Sequence, residues 1–299
     1  MATLHSLSLE DYISPEDLHA RVRTARIEDM GPDSLDLTSD ALVAADAGGR
    51  ALVRARCLGR LAGAALLPTI LRVYDSRLTL RNARPDGEPM AAGDVAATLG
   101  GPLRSILAVE RVALNFLCHL SGIATLTAQY VDAVRGTRAR ILDTRKTLPG
   151  LRALQKYAVA CGGGSSHRMG LYDAVLVKDN HVTGKTPQQF ADSIAVAIAS
   201  WRERSPQPTF VEVEVDTLDQ LAAVLKCDLD VVLLDNMSAD QLREAVALRD
   251  GKAPSILLET SGGIDLDTAR TAAQTGIDLI SIGALTHSAP ALDLALDVL

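Results

Sequence analysis

The segment FVEVEVDTLDQLAAVLKCDLDVVLLDNMSADQLREAVALRD, residues 210–250, shows how the second half of the chain is organised. Two short runs rich in Val and Leu each lead into a stretch with the apolar spacing of a helix. The helical stretches begin at or beside Thr217 and Ser238, residue types that are favoured just before a helix starts. The segment therefore predicts two consecutive βα units, which build a parallel sheet.

The same alternation extends from about residue 140 towards the carboxyl end. The apolar runs are RILDT, AVLVKDN, FVEVEVD, VVLLDN, SILLETSGG and LISIGAL. Their near-continuous apolar character is typical of strands that are covered on both faces, as in a barrel or a doubly wound sheet. The residues at or just after the ends of these runs are Asp143, Lys178, Glu214, Asp235, Glu259 and Gly283. Because such ends converge on one mouth in a (β/α) barrel, we predict a barrel with six recognisable strands.

Residues 1–115 lack this alternation. Strand-like runs there mix with Gly and Pro turns, as in RLTLRNARPDGEPMAAGDVAATLGGPL at residues 77–103, and this pattern predicts an α+β domain. The apolar segment at residues 107–135 predicts two helices that are broken near Ser121 and Gly122. We predict an amino-terminal domain at residues 1–115, joined by residues 289–299, and a catalytic barrel domain at residues 116–288.

Composition restricts the classes of function. The chain of 299 residues has a net charge of −7, which argues against nucleic acid or an anionic membrane as the main partner. The amino terminus shows no signal-peptide pattern, and no unbroken apolar run is long enough to span a membrane, so we expect a cytoplasmic protein. The four cysteines lack C-x-x-C spacing and are expected to be reduced packing residues.

Five cationic or titratable side chains lie within about 35 residues, in or beside the loops at the predicted mouth. They are Arg145, Lys146, His167, Arg168 and Lys178. A guanidinium binds a carboxylate or phosphate in bidentate fashion, whereas Lys supplies a flexible point charge. The cluster therefore indicates a ligand with several anionic groups. The alternative for any one of these residues is a solvated surface charge.

Carboxylates and small residues end the later strands. Glu214 and Asp235 follow neighbouring strands and can accept hydrogen bonds from sugar hydroxyls or stabilise developing positive charge, or they can simply neutralise the cations. Glu212 points to the same side as Glu214 but lies deeper. The loops ETSGGIDLDTA and SIGALTHS follow the last two strands, where barrels commonly bind phosphate through backbone N–H groups. Tight turns without a ligand are the alternative.

Six blocks of the sequence, taken in order, resemble the quinolinate phosphoribosyltransferase family. The blocks are LDTRKTLPGLRALQKYAV, GGGSSHRMGLYDAVLVKDNH, VEVEVDTLDQL, VVLLDNMS, LETSGGI and SIGALTHS. The resemblance extends over about residues 105–295. It implies an amino-terminal α+β sandwich domain, an incomplete (β/α) barrel of parallel strands and a homodimer.

The resemblance also implies roles for individual residues. Quinolinate would contact Arg145, His167, Arg168 and Lys178, completed by Arg111 from the other subunit. Phosphoribosyl pyrophosphate (PRPP), entering with Mg²⁺, would contact the predicted catalytic residues Lys146, Glu214 and Asp235. Its 5′-phosphate would contact Ser261, Gly262, Gly263, Ile282, Gly283 and Ala284, near His287. Thr144 is a further predicted substrate-binding residue.

The implied reaction is phosphoribosyl transfer to quinolinate with decarboxylation, which gives nicotinate mononucleotide, pyrophosphate and CO₂ in de novo NAD biosynthesis. Three alternatives remain open from the residues. A phosphoribosyltransferase for nicotinate or a related base would not need four cationic or titratable groups plus Arg111. A barrel lyase could use Lys146 or Lys178 as a Schiff-base amine. A nonenzymatic anion-binding protein would bind these ligands without turnover.

Overall fold

In the computed structural model, residues 8–181, 184–204 and 207–299 are described. The chain divides into two compact units, which are described separately below. Unit 1 contains the residues up to Ala128, Leu148–Gly163 and Leu285–Leu299. Unit 2 contains Gln129–Thr147 and Gly164–Ala284.

Unit 1 is built on an antiparallel sheet of four strands in the order β12-β1-β5-β3, with a separate two-stranded ribbon of β2 and β4. Its strands are β1 (Gly48–Ala55), β2 (Gly59–Arg60), β3 (Thr79–Arg81), β4 (Pro89–Met90), β5 (Val95–Pro102) and β12 (Leu294–Val298). Ala51, Val53 and Ala55 alternate along β1 and are fully buried, so one face of this strand belongs to the core. The carboxyl-terminal strand β12 pairs with β1.

The helices that lie wholly or mainly in unit 1 are α1 (Pro15–Met30), α2 (Leu37–Leu42), α3 (Leu67–Tyr74), α4 (Leu103–Ala133), α5 (Arg152–Cys161) and α10 (Ala284–His287). Helix α4 continues past Ala128 into unit 2. The domain boundary that the sequence predicts at residue 115 lies within this helix. By length and a mean hydropathy of 1.4, α4 is apolar enough to cross a membrane, but 56% of its most apolar window is buried inside the protein, as in a core helix.

The predicted break in α4 near Ser121 and Gly122 is wrong, because the helix runs unbroken from Leu103 to Ala133. The Ser121 hydroxyl accepts a hydrogen bond from the Ala62 N–H (3.0 Å) and donates one to the Ala62 carbonyl (3.1 Å). A Cβ atom on Gly122 would lie 2.0 Å from the carbonyl oxygen of Pro290. The small residues thus allow two other segments of unit 1 to pack against the helix.

Unit 2 is built on six parallel strands in the order β6-β11-β10-β9-β8-β7. Its strands are β6 (Arg140–Leu142), β7 (Val175–Val177), β8 (Val211–Val215), β9 (Val231–Asp235), β10 (Leu257–Ser261) and β11 (Leu279–Ser281). This is the cyclic order of a (β/α) barrel in which β6 pairs with β11 but not with β7. The predicted α/β fold with a parallel, incomplete barrel is therefore confirmed.

Helices connect the later strands of unit 2, as the spacing of apolar residues predicts. They are α6 (Pro187–Arg202), α7 (Leu218–Val224), α8 (Ala239–Lys252) and α9 (Leu266–Ala273). Thr186, Thr217 and Ser238 each accept a hydrogen bond from the backbone of a Gln three residues later, and that Gln side chain bonds back to the capping residue. These reciprocal capping boxes fix where each helix begins after the carboxyl end of the preceding strand.

We expect Gly122→Ala to lower the free energy of unfolding by about 1–3 kcal/mol, because the added methyl group overlaps the Pro290 carbonyl. Gly251→Ala is the matched control, since Gly251 lies in α8 with nothing within 4 Å of an added Cβ. There, Ala should be neutral or stabilising by up to about 1 kcal/mol. Denaturant unfolding measures both, and equal stability of the two variants would contradict the account of α4.

Candidate active site

A cavity of about 590 Å³ lies in unit 2 at the carboxyl ends of the parallel strands. Eleven of the predicted site residues line it: Thr144, Arg145, Lys146, His167, Arg168, Lys178, Glu214, Asp235, Ser261, Gly262 and Gly263. Five further residues complete the lining: Leu176, Leu233, Asn236, Glu259 and Ser281. The convergence that the strand ends predict is thus present in the structure.

Five predicted site residues do not line this cavity. Ile282 is 2% exposed and donates its N–H to the Leu142 carbonyl, while Gly283 and Ala284 follow it in unit 2. His287 and Arg111 belong to unit 1, and the Arg111 side chain is 65% exposed. The substrate contacts that the resemblance assigns to these five residues, and to the eleven that line the cavity, stay predictions.

The loop after β6 is shaped by short-range hydrogen bonds. Asp143 is fully buried, and its carboxylate accepts a hydrogen bond from the His167 N–H at 2.9 Å. The Thr144 hydroxyl accepts one from the Lys146 N–H at 3.0 Å, a local turn that suits Thr. Arg145 and Lys146 are both exposed on this turn. The local sequence therefore presents two adjacent cations at the rim of the cavity.

A second segment runs along the free edge of β6. Ser165 forms a parallel bridge with Leu142, and its N–H donates to the Ile141 carbonyl at 2.8 Å. This pairing carries the following residues, His167 and Arg168, to the cavity. The Arg168 guanidinium is largely buried and donates to the Ala174 carbonyl at 3.2 Å.

The positive charges of Arg168 and Arg145 repel each other at this cavity. Burial first, and then the charge of Arg145, lower the pKa of the Arg168 guanidinium. Two guanidinium groups that line one cavity suit an anionic ligand, because a bound carboxylate would relieve their repulsion.

Carboxylates from the neighbouring strands β8 and β9 also line the cavity. Lys178 Nζ lies 2.6 Å from an oxygen of Glu214, whose side chain is 8% exposed. Asp235 ends the adjacent strand β9, and its pKa is raised by burial and then by the negative charges of Glu214 and Asp216. This cluster of carboxylates favours a ligand group that carries or develops positive charge.

The loop after β10 requires glycine. Gly262 and Gly263 have φ values of 98° and 61°, in the left-handed region that favours glycine. A Cβ atom on Gly262 would lie 2.0 Å from the Asn236 side-chain oxygen, and Asn236 itself has a φ of 53°. The Asn236 N–H donates to the Ser261 carbonyl at 3.0 Å. The loop after β10 and the residue Asn236, which follows β9, are therefore in close contact.

Two buried acids lie at the base of the site. Glu212 and Glu259 are 0% and 1% exposed, and His167 Nε2 lies 2.9 Å from Glu212 and 3.7 Å from Glu259. Burial is the main cause that raises the pKa of each acid to about 8. The sequence places both on strands, but it does not show that they meet, because their strands are separated by β9.

Two family models match this chain. The model described as "Quinolinate phosphoribosyl transferase, C-terminal domain" matches residues 123–297, and the model for the N-terminal domain matches residues 36–121. The chain belongs to the quinolinate phosphoribosyltransferase family. Membership confirms the resemblance that the six sequence blocks indicate.

Relatives in the quinolinate phosphoribosyltransferase family are similar over most of the chain. The "Nicotinate-nucleotide pyrophosphorylase [carboxylating]" of Mycobacterium leprae is 49% identical over 71% of this chain and 72% of its own. The probable enzyme of that name from Bacillus subtilis is 38% identical over 91% and 90%. The solved structure of the nicotinate-nucleotide pyrophosphorylase from Francisella tularensis has a TM-score of 0.85 and 36% identity, and the match covers 96% of this chain and 98% of that one.

We expect Gly262→Ala to weaken binding of inorganic phosphate about tenfold or more, because the displaced Asn236 and the strained loop misdirect N–H donors. Gly136→Ala is the matched control, with a φ of 82° and nothing within 4 Å of an added Cβ. Both substitutions should cost about 1–2 kcal/mol of stability from the left-handed backbone. Calorimetric titration distinguishes them, and equal phosphate affinity in the two variants would rule out a phosphate site at this loop.

Proposed function

We propose that this chain transfers the phosphoribosyl group of PRPP to the ring nitrogen of quinolinate and releases the 2-carboxylate as CO₂. The products are nicotinate mononucleotide, pyrophosphate and CO₂. The observation that carries the proposal is one cavity in which Arg145, Arg168 and Lys178 lie with Glu214 and Asp235. Similar proteins are named for the carboxylating pyrophosphorylase reaction, which is this transfer written in reverse.

Quinolinate, a dicarboxylate, suits the cations that line the cavity. Arg145 and Arg168 repel each other there, so each gains from a carboxylate that bridges or separates them. Lys178 adds a third positive charge, already balanced by Glu214. A monocarboxylate such as nicotinate would leave part of this charge uncompensated, which favours quinolinate as the base.

The phosphoribosyl donor suits the carboxylates of Glu214 and Asp235 and the loop that contains Gly262. As pyrophosphate leaves, positive charge develops on the ribose, and Glu214 with Asp235 would stabilise it. Burial first, and then the negative charges of Glu214 and Asp216, raise the pKa of Asp235, and such a cation would favour its charged form. Lys146, at the rim, would stabilise the departing pyrophosphate. Mg²⁺ enters as part of the substrate, bound to oxygens of PRPP.

After the ring nitrogen has attacked the anomeric carbon, the pyridine ring is cationic. The 2-carboxylate can then leave as CO₂, because the adjacent positive nitrogen stabilises the electron pair left on carbon 2. No covalent intermediate with the protein is required. Lys178 Nζ lies 2.6 Å from Glu214, and this contact engages the amine that a Schiff-base lyase would need as its nucleophile.

The proposal includes a cytoplasmic homodimer in which Arg111 of each subunit reaches the site of the other. Its support is the exposure of Arg111 on α4: the side chain is 65% exposed and lies 3.9 Å from Glu110. A guanidinium so placed is available to a ligand on a neighbouring subunit.

We expect turnover of quinolinate with Mg²⁺ and PRPP, and equal amounts of pyrophosphate and CO₂. Nicotinate in its place should react at least about a hundredfold more slowly in kcat/KM, because the second carboxylate binding site stays empty. Chelation of Mg²⁺ should stop the reaction, and added Mg²⁺ should restore it. Release of pyrophosphate from PRPP with nicotinate but not with quinolinate, or with neither base, would contradict the proposal.

A subunit-mixing experiment tests the shared site. Arg111→Ala and Lys146→Ala should each be inactive alone, whereas an equal mixture should regain about one quarter of wild-type activity, since half of the dimers are hybrid and each hybrid holds one intact site. Unfolding and refolding the two variants together ensures exchange. Each variant refolded by itself is the control. If the mixture stays as inactive as these controls, Arg111 does not act across subunits.

A further inference from the structure

Beneath the cavity, Glu212 from β8 and Glu259 from β10 converge on His167. The nearest ligand atoms of the three residues lie within 4.8 Å of one another. Both oxygens of Glu212 and one oxygen of Glu259 are buried without a hydrogen-bond donor, although His167 Nε2 approaches Glu212 to 2.9 Å. Buried carboxylate oxygens without donors are costly, so this cluster requires a further proton or a cation.

The tautomer of His167 distinguishes a proton from a metal ion. The Arg168 N–H donates to His167 Nδ1 at 2.7 Å, so Nδ1 holds a lone pair. A neutral ring then carries its hydrogen on Nε2, which faces the two acids. Because a metal ion would need the lone pair of Nε2, the arrangement favours a proton shared between the carboxyl groups.

Glu259 is the better candidate for the protonated acid. The polar groups that act on it include Glu212 on β8, His167 on the segment after Ser165 and Ser281 on β11. Burial, and then the charge of Glu212, raise the pKa of Glu259. Glu212 in turn faces the cations Arg168 and Lys178, which favour its charged form. Glu259 also lines the cavity, whereas Glu212 does not.

The proposed reaction requires an acid at this point. When the bond between carbon 2 and its carboxylate breaks, CO₂ departs and the electron pair stays on carbon 2 beside the cationic nitrogen. One proton must then reach carbon 2. Arg145, Arg168 and Lys178 are much weaker acids than a carboxylic acid, and so is a neutral His167, whose Nε2 faces Glu212 and Glu259. Asp235 is influenced instead by the negative charges of Glu214 and Asp216.

We propose that Glu259, kept neutral by its contact with Glu212, is the catalytic acid that delivers a proton to carbon 2 as CO₂ leaves. The O–H bond of Glu259 breaks, a C–H bond forms, and the resulting carboxylate regains a proton from solvent after product release. A neutral acid also avoids repelling the carboxylates of the substrate. This inference rests on the proposed function and adds the acid of its decarboxylation step.

The test compares Glu259→Gln with Glu244→Gln, the same chemical change on the exposed surface of α8. Single-turnover reactions with carboxyl-labelled quinolinate and Mg²⁺-PRPP measure pyrophosphate and CO₂ separately. In Glu259→Gln, CO₂ release should slow by roughly a hundredfold, the usual contribution of a general acid, while pyrophosphate release stays near wild type. Quinolinate mononucleotide should accumulate. Glu259→Asp should restore part of the CO₂ rate, and Glu244→Gln should match wild type.

Unchanged, coupled release of CO₂ and pyrophosphate in Glu259→Gln would overturn the inference, and so would an equal loss of both in a folded variant. Failure of the proposed function is different, because wild type would then release no pyrophosphate from PRPP in the presence of quinolinate. If Glu259→Gln does not fold, the pH profile of wild type replaces it. The pKa of Glu259 near 8 means that the acid form is lost as pH rises through that value. CO₂ release should then fall while pyrophosphate release does not, and parallel profiles would refute the role.

Discussion

Arg145 and Arg168 line the same cavity at the carboxyl end of the barrel, where their positive charges repel each other. The negative charges of Glu212 and Asp173 act on Arg168 and offset part of this repulsion, and Glu214 contacts Lys178. The cavity thus combines cations with carboxylates. A substrate pair that brings anionic groups and develops a cationic sugar complements both sets of charges at once.

The backbone that holds these charges depends on the open edge of β6. A complete barrel would pair this edge with another regular strand, whereas here Ser165 forms a single bridge to Leu142. The buried carboxylate of Asp143 then accepts the His167 N–H, which joins the two segments at the cavity. The gap in the barrel is therefore part of the site, because it gives the segment with His167 and Arg168 its position.

Much of this organisation is predictable from sequence. Alternating apolar runs and capping residues such as Thr217 and Ser238 predict the strands and helices. The loops at the strand ends, together with the family resemblance, predict eleven residues of the cavity. Gly122 misleads because its lack of a side chain serves packing rather than a break. The contact of Glu212 with Glu259 depends on the pairing of β9 with both neighbours, which no local pattern encodes. Likewise, only the tertiary structure shows that Asn236 lines the cavity.

A crystal structure of the protein with quinolinate and a PRPP analogue that cannot react tests the central claim most directly. We expect both ring carboxylates to lie between Arg145 and Arg168, and the ribose to lie beside Glu214. The 5′-phosphate should contact the loop that contains Gly262. The ring nitrogen would face the anomeric carbon. Quinolinate bound away from the two arginines, or a phosphoribosyl group outside this cavity, would contradict the claim that two anions meet at one end of the barrel.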